Sequence, residues 1–258
     1  MSRVPIALEL YSVRHDLEND TYGTLKAVAE MGYEGVEFAG APKNSAEELK
    51  GYLDELGIVC CGWHTPLNLV QDDTLAETVA FNKKLENRHV IIPGIPANLR
   101  ETRDDWLKMA ELFNDLAGKL APHDMDTGYH NHHVEFSPLD GELPWDTFFG
   151  NTNQEVIMQI DTGNAFYGGG DFVSMLKNYP GRAITVHLKP YSKTAGANDS
   201  QEGFKPIIGE DEVPWDEVFD ICESTGGTEW YIVEYESDAY PSLEAVDRCL
   251  KALKEMGK

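Results

Sequence analysis

Four short apolar segments in the second half of the chain each lead to a side chain that can bind a metal ion. The first segment, residues 128–136, contains His130, and the other three lead into Asp161, His187 and Glu234. Carboxylate and imidazole ligands together suit a hard-to-borderline divalent cation such as Mn²⁺, Mg²⁺ or Zn²⁺. If the four segments bring these side chains together, we expect a divalent metal ion as the cofactor.

The first of these segments offers more than one candidate for chemistry. His130 and His132 lie two positions apart, so they would share a face if the segment is a strand, and Glu135 would approach from the following loop. An imidazole titrates near neutral pH and can give or take a proton, so both histidines are candidates for proton transfer beside the metal. Glu234 is the alternative base.

Other side chains near predicted strand ends are candidates for binding the substrate. Lys189 follows His187 by two positions, so a ligand and a catalytic or substrate-binding cation would face one cavity from the same strand. His64 ends the third predicted strand and is a candidate for binding hydroxyl groups. Glu37 points to the same rim, where it could equally be structural, and the Tyr11 ring could stack on a sugar.

The spacing of these side chains predicts repeating units of one strand and one helix. Asp161 and His187 are 26 positions apart, close to the roughly 25–30 residues that a strand, a loop, a helix and a return loop need. The longer gap from His187 to Glu234 indicates an insertion. Because the C-terminal ends of parallel strands in a barrel lie side by side, the side chains at these ends would converge.

The chain as a whole follows this pattern and predicts an α/β fold, a single (β/α)₈ TIM barrel domain over residues 1–258. A doubly wound open sheet is the structural alternative, but no glycine-rich dinucleotide fingerprint follows the first strand. The segments predicted to supply the strands are 5–10, 33–38, 58–63, 89–93, 128–136, 156–160, 183–186 and 230–233. The polar segment 190–213 lacks helical periodicity, and we expect it to be a mobile lid over the site.

The composition narrows the class of protein. A formal charge of −24, from 45 acidic and 21 basic residues, would be repelled by a phosphate backbone, so we expect no nucleic-acid partner. No apolar run approaches the roughly 18 residues of a membrane span, and the N-terminal segment does not resemble a signal peptide. The four cysteines lack metal-site spacing, and we expect them to be buried thiols in a reducing cytoplasm. Nothing in the composition excludes a homo-oligomer.

Several motifs together resemble those of a known enzyme family. They are Leu10–Arg14, Gly32–Glu37, Tyr129–Phe136, Gln159–Asn164, Val186–Lys189, Gly209–Asp211 and Val233–Tyr235. Over essentially the whole chain they resemble the sugar phosphate isomerase/epimerase family of xylose isomerase-like TIM barrels. This resemblance implies a metal-binding set of Glu135, Asp161, His187 and Glu234. Many members place a glutamate at the end of strand five, where this chain has His130, so His130 or His132 is the alternative to Glu135.

The resemblance also implies an enzyme that acts on a small keto-sugar or polyol. A divalent-metal-dependent isomerase or epimerase would work through an enediolate. A lyase or dehydratase acting on a keto-inositol or a 3-oxo-glycoside is the alternative, because it would share that intermediate. The family also includes AP endonucleases, but the excess of acidic over basic residues in this chain argues against that activity. A non-catalytic sugar-binding protein is the alternative from another functional class.

Overall fold

The computed structural model describes residues 3–258 and contains a closed barrel of eight parallel strands in chain order. The strands are β1 Ile6–Glu9, β2 Gly35–Ala39, β3 Val59–His64, β4 His89–Ile92, β5 Asp126–His130, β6 Ile157–Asp161, β7 Thr185–Leu188 and β8 Trp230–Val233. The barrel closes because β1 pairs with β8, with Ala7 opposite Ile232. The predicted (β/α)₈ barrel is therefore confirmed.

Helices connect successive strands and cover the outside of the barrel. They are α1 Arg14–Asn19, α2 Thr21–Met31, α3 Ala46–Leu56, α4 Leu75–Lys84, α5 Arg103–Leu120, α6 Pro144–Phe149, α7 Thr162–Gly168, α8 Phe172–Asn178, α9 Ser200–Gly203, α10 Trp215–Ile221 and α11 Ser242–Glu255. Two helices, α1 and α2, follow β1, where the repeat of one strand and one helix predicts a single helix. Asp20 between them has an extended backbone that ends α1, and its side chain accepts from the amide of Gly23 and so caps the start of α2.

The apolar core lies between the strands and this layer of helices. On α5, for example, the buried ring of Phe113 packs edge-on against Tyr129 of β5 and Phe148 of α6. Inside the barrel, by contrast, the strands present buried polar side chains, among them Glu9, Glu37 and Gln159. Buried polar groups are costly unless they are partnered, so this interior is specialised for binding or chemistry.

The segment between β7 and α10 is folded and packs against the end of β8. It contains a short 3₁₀ turn at Ala195–Ala197 and helix α9, and the buried ring of Tyr191 lies 4.6 Å from the partly buried ring of Phe204. The hydroxyl of Tyr235, just after β8, donates to the carbonyl of Lys205 at 2.6 Å and ties the segment to the barrel. Its movement on substrate binding stays a prediction.

None of the helices within residues 3–258 combines the length and the apolar character needed to cross a membrane.

Candidate metal centre

Four side chains from neighbouring strands converge at the C-terminal end of the barrel. They are His130 at the end of β5, Asp161 at the end of β6, His187 in β7 and Glu234 just after β8. One nitrogen or oxygen from each lies within 4.8 Å of the others, and all four side chains are buried. Two imidazoles and two carboxylates at this spacing match the donor set of a divalent transition metal or zinc site. We call this set the quartet.

His187 is the best-anchored member of the quartet. Its Nδ1 lies 2.7 Å from Oε2 of Glu234, and its Nε2 lies 2.6 Å from Oε2 of Glu37. Although burial alone would lower the pKa of His187, these two carboxylates raise it well above its usual range. If Nδ1 of His187 binds a cation, its Nε2–H group can still donate to Glu37. A histidine between a carboxylate and a metal ion is a common arrangement in metal sites.

Asp161 is held by the turn that begins α7. Its carboxylate accepts from the backbone amide of Asn164 at 2.8 Å and from the side-chain amide of Asn164 at 2.7 Å. Its own backbone amide donates to the side chain of Asn131 at 2.9 Å, which links the ends of β5 and β6. Burial raises the pKa of Asp161 to about 7, despite the nearby charge of Lys189. A bound cation would supply the missing positive charge.

Lys189 provides the positive charge beside the quartet. Its Nζ lies 3.3 Å from Glu234, 3.7 Å from Asp161 and 3.2 Å from Glu236. Burial would lower the pKa of Lys189, but Glu234 and Asp161 outweigh it and raise the pKa above its usual range. Lys189 is therefore a cation that can donate a hydrogen bond to substrate, and it is a poor base.

Glu135 lies outside the quartet. Strand β5 ends at His130, and the chain then turns into a short 3₁₀ helix, Val134–Phe136, that points Glu135 back towards the barrel wall. There its carboxylate accepts from the hydroxyl of Tyr129 at 2.5 Å and from the amide of His132 at 2.9 Å. Of the two alternatives Glu135 and His130, His130 is the one that lies beside Asp161, with its Nε2 3.6 Å from Oδ2 of Asp161. Which of them binds a metal ion stays a prediction.

A second set of possible ligand atoms shares His187 and lies deeper in the barrel. It comprises Glu9, Glu37, His64 and His187. Glu37 already accepts from His187 and from the amide of Gln159, and despite its burial these groups, with His64, lower the pKa of Glu37 to about 2. Glu37 is thus a satisfied anion without a second cation.

The cavity above the quartet has a volume of about 460 Å³. Its lining comprises Tyr11, Ala39, Gly40, His64, Pro93, His130, His132, Glu234 and Glu236. Tyr11, which is 46% exposed, and His64 both line the cavity, and their contact with substrate stays a prediction. Glu37, also expected to contact substrate, is fully buried, does not line the cavity and contacts His187 instead. His132 is exposed at the mouth.

A neighbouring cavity of about 330 Å³ shares Tyr11 and Glu236 with the first and includes Lys189 and Phe204 in its wall. Lys189 therefore faces this second cavity, which borders the first at Tyr11 and Glu236. The space above the barrel is therefore larger than a metal ion bound at the quartet would fill.

Comparison with known proteins identifies the family. The sequence profile of the xylose isomerase-like TIM barrel family matches residues 25–256. The chain belongs to this family. An inosose dehydratase from Glaesserella parasuis is 24% identical over an alignment that covers 86% of this chain and 84% of that protein.

Solved structures of similar proteins share the fold of this xylose isomerase-like barrel. A sugar phosphate isomerase/epimerase from Parabacteroides distasonis has a TM-score of 0.82 at 20% identity and covers 98% of each chain. The IolI protein, whose crystal structure contains a zinc atom, has a TM-score of 0.73 at 13% identity and covers 97% of each chain.

Two polar residues of this xylose isomerase-like barrel were not recognised as site residues from sequence. Gln159 precedes Asp161 by two positions and contacts His64, His130 and Glu37. Glu236 follows Glu234 by two positions and lines both cavities. A polar residue two positions from a ligand on the same strand is the signal that could have found Gln159, because alternate strand residues share a face.

Proposed function

We propose that this chain is a divalent-metal-dependent enzyme that enolises a small keto-sugar or keto-polyol, with isomerisation or epimerisation as the outcome. The quartet of His130, Asp161, His187 and Glu234 at the base of an open cavity is the observation that carries this proposal. A buried cationic lysine beside the quartet supports it, because it could stabilise negative charge on a substrate oxygen.

Mn²⁺ or Zn²⁺ suits the quartet better than Mg²⁺. Replacing the expected Glu135 by His130 gives two imidazole ligands, and Mg²⁺ strongly prefers oxygen ligands in octahedral geometry. When bound, the cation would polarise adjacent carbonyl and hydroxyl oxygens of the substrate and so acidify the C–H bond between them.

The chain's own residues would divide the remaining work. Lys189 would donate a hydrogen bond to the substrate oxygen that gains charge, since it is cationic, lies beside Asp161 and Glu234, and faces the neighbouring cavity. His132 is the preferred base, because it lines the cavity. His130 and Glu234 would serve as ligands, and the pKa of Glu234 is held well below its usual range because Lys189 and His187 outweigh the effect of burial.

Dehydration of a keto-inositol is the second candidate reaction. The name of the inosose dehydratase from Glaesserella parasuis favours it. The same proton abstraction would then be followed by loss of the neighbouring hydroxyl group as water, with the proton that the base has taken, instead of by return of that proton to carbon.

Exchange of the substrate proton for deuterium tests the proposal. Metal-loaded protein is incubated in deuterated water with a panel of keto-sugars, keto-inositols and oxidised glycosides, and products are followed by NMR. A substrate should take up deuterium next to its carbonyl group, and elimination products would identify the dehydratase. Metal-dependent binding across the panel without exchange or elimination would instead support the non-catalytic sugar-binding alternative.

A further inference from the structure

Gln159 is the centre of a hydrogen-bond network just below the quartet. It lies in the middle of β6, is fully buried, and stands two residues before Asp161. Its Oε1 lies 2.7 Å from Nε2 of His64 and 3.1 Å from Nδ1 of His130. Its Nε2 donates to Oγ1 of Thr185 at 2.9 Å and to Oε1 of Glu37 at 3.1 Å.

The carboxylate of Glu37 fixes the orientation of this amide. An ionised carboxylate accepts hydrogen bonds and donates none, so the Gln159 atom next to it must be the NH₂ group. The carbonyl oxygen of Gln159 is then the atom that faces the two histidines. A carbonyl oxygen accepts only, so each histidine nitrogen that contacts it must carry a hydrogen.

These contacts determine the tautomers of the two histidines. His130 must hold its hydrogen on Nδ1, which leaves the lone pair on Nε2, the atom that lies 3.6 Å from Asp161. His64 must hold its hydrogen on Nε2, which leaves Nδ1 as an acceptor. A histidine binds a metal ion only through a nitrogen without a hydrogen, so His130 is presented to the quartet through its free Nε2.

We infer that Gln159 is a positioning residue that selects the tautomers of His130 and His64 and thereby prepares the quartet for a metal ion. This inference rests on the proposed function insofar as it takes His130 as a ligand. The neutral side-chain amide of Gln159 suits both sets of contacts, because its oxygen accepts hydrogen bonds from the two histidines and its NH₂ group donates to Glu37. A carboxylate at this position would accept from the histidines but would repel Glu37.

Two substitutions separate these properties. Gln159→Leu removes both the acceptor and the donor while keeping a side chain of similar bulk. Gln159→Glu keeps an acceptor for the histidines and loses the donor to Glu37. Gln154→Leu is the matched control, because Gln154 is exposed and donates to the carbonyl of Pro180.

The first measurement is histidine NMR on metal-free, ¹⁵N-labelled protein, in which Nδ1–H and Nε2–H tautomers give different long-range coupling patterns. We expect the Nδ1–H form of His130 and the Nε2–H form of His64 in the wild type and in Gln159→Glu. In Gln159→Leu each ring should become a mixture of tautomers. Unchanged tautomers in folded Gln159→Leu would overturn the inference, and if that variant does not fold, a changed tautomer of His130 in Gln159→Glu would do so.

The second measurement is Zn²⁺ and Mn²⁺ affinity by calorimetry on the same proteins. Loss of a residue that orients a ligand typically costs about 10–100-fold in metal affinity, and we expect this loss in Gln159→Leu but not in Gln154→Leu. Changed tautomers with full affinity would overturn the link to metal binding. A wild type that binds neither metal would refute the proposed function, while the tautomer result would still stand or fall by itself.

Discussion

A Cβ atom on Gly62 would lie 2.1 Å from Oε1 of Glu37. The two residues face each other across the β2–β3 pair, directly after a register shift between Val36 and Glu37. The glycine therefore leaves the space that the Glu37 carboxylate occupies, and this carboxylate in turn holds Nε2 of His187.

Gly62→Ala should displace Glu37 and weaken metal binding without altering any ligand. We expect a destabilisation of about 1–3 kcal/mol from overpacking and a loss of roughly tenfold in metal affinity from the misplaced His187. Gly51→Ala is the matched control, because a Cβ atom on Gly51 in α3 would meet none of the described residues within 4 Å. Urea unfolding and calorimetry give the two quantities, and unchanged affinity in Gly62→Ala would exclude a role for Glu37 in orienting His187.

The metal content of two carboxylate variants distinguishes the quartet from the set implied by family resemblance. Asp161→Asn should lose most of the metal found in wild-type protein. Glu135→Gln should keep it, because the Glu135 carboxylate is bound to Tyr129 and the His132 amide. Elemental analysis of folded protein checks both, and metal loss in Glu135→Gln alone would restore Glu135 as the ligand.

Metal affinity should rise with pH between about pH 6 and pH 8. In the metal-free protein His187 has a raised pKa and Asp161 a pKa of about 7, so at the lower pH both hold protons that a cation must displace. Affinity should fall by up to about tenfold per pH unit for each proton released. Calorimetry in buffers of different ionisation enthalpy counts these protons, and a pH-independent affinity without proton release would contradict the assignment.

His132→Gln should lower turnover while leaving the metal in place. A general base typically contributes about 10²–10⁴-fold to rate, and His132 lines the cavity while lying outside the quartet. His15→Gln is the control, since His15 is a surface residue whose side chain is 79% exposed. Deuterium exchange on the substrate found in the panel measures the effect, and wild-type exchange in His132→Gln would transfer the base role to another residue.

Glu9→Gln should stabilise the protein, and increasingly so as pH rises. Glu9 is fully buried, its Oε2 lacks a hydrogen-bond partner among residues 3–258, and burial together with the charge of Glu37 raises its pKa. The contribution of a group with a raised pKa is complete below the pKa of the unfolded chain, about 4.3, and is lost as pH rises towards the folded value. The amide avoids this loss.

Urea unfolding of the wild type and Glu9→Gln between pH 5 and pH 8 measures this difference. The exposed Glu77→Gln on α4 is the control and should show a constant difference. A Glu9→Gln variant that is less stable than wild type throughout this range would show that the Glu9 carboxylate has a partner essential to the fold.

The barrel and part of the centre were predictable from sequence because they depend on local pattern. Asp161, His187 and Glu234 each end or follow a short apolar run, and parallel strands bring such positions together. The family and fold expectations are confirmed by the sequence profile and the closed sheet.

The remaining details depend on features that a sequence pattern does not contain. The position of Glu135 follows from where β5 ends and the next turn begins, and the segment 128–136 does not itself show that the strand stops at His130. The depth of Glu37 follows from a register shift against β3 and from Gly62. The role of Gln159 becomes visible only when strands far apart in the chain are brought together.

The contact between His187 and Glu37 spans 150 positions of the chain. Contacts at such separation form late in folding, because a long loop must close before they can contribute. Glu37 lies on the second strand and Glu234 follows the last, so the two carboxylates that hold His187 come together only when β8 pairs with β1 and the ring of strands is shut. A cation at this centre would therefore not guide the early steps of folding during synthesis. It would instead bind after the barrel has closed and slow the unfolding step in which the ring of strands opens again.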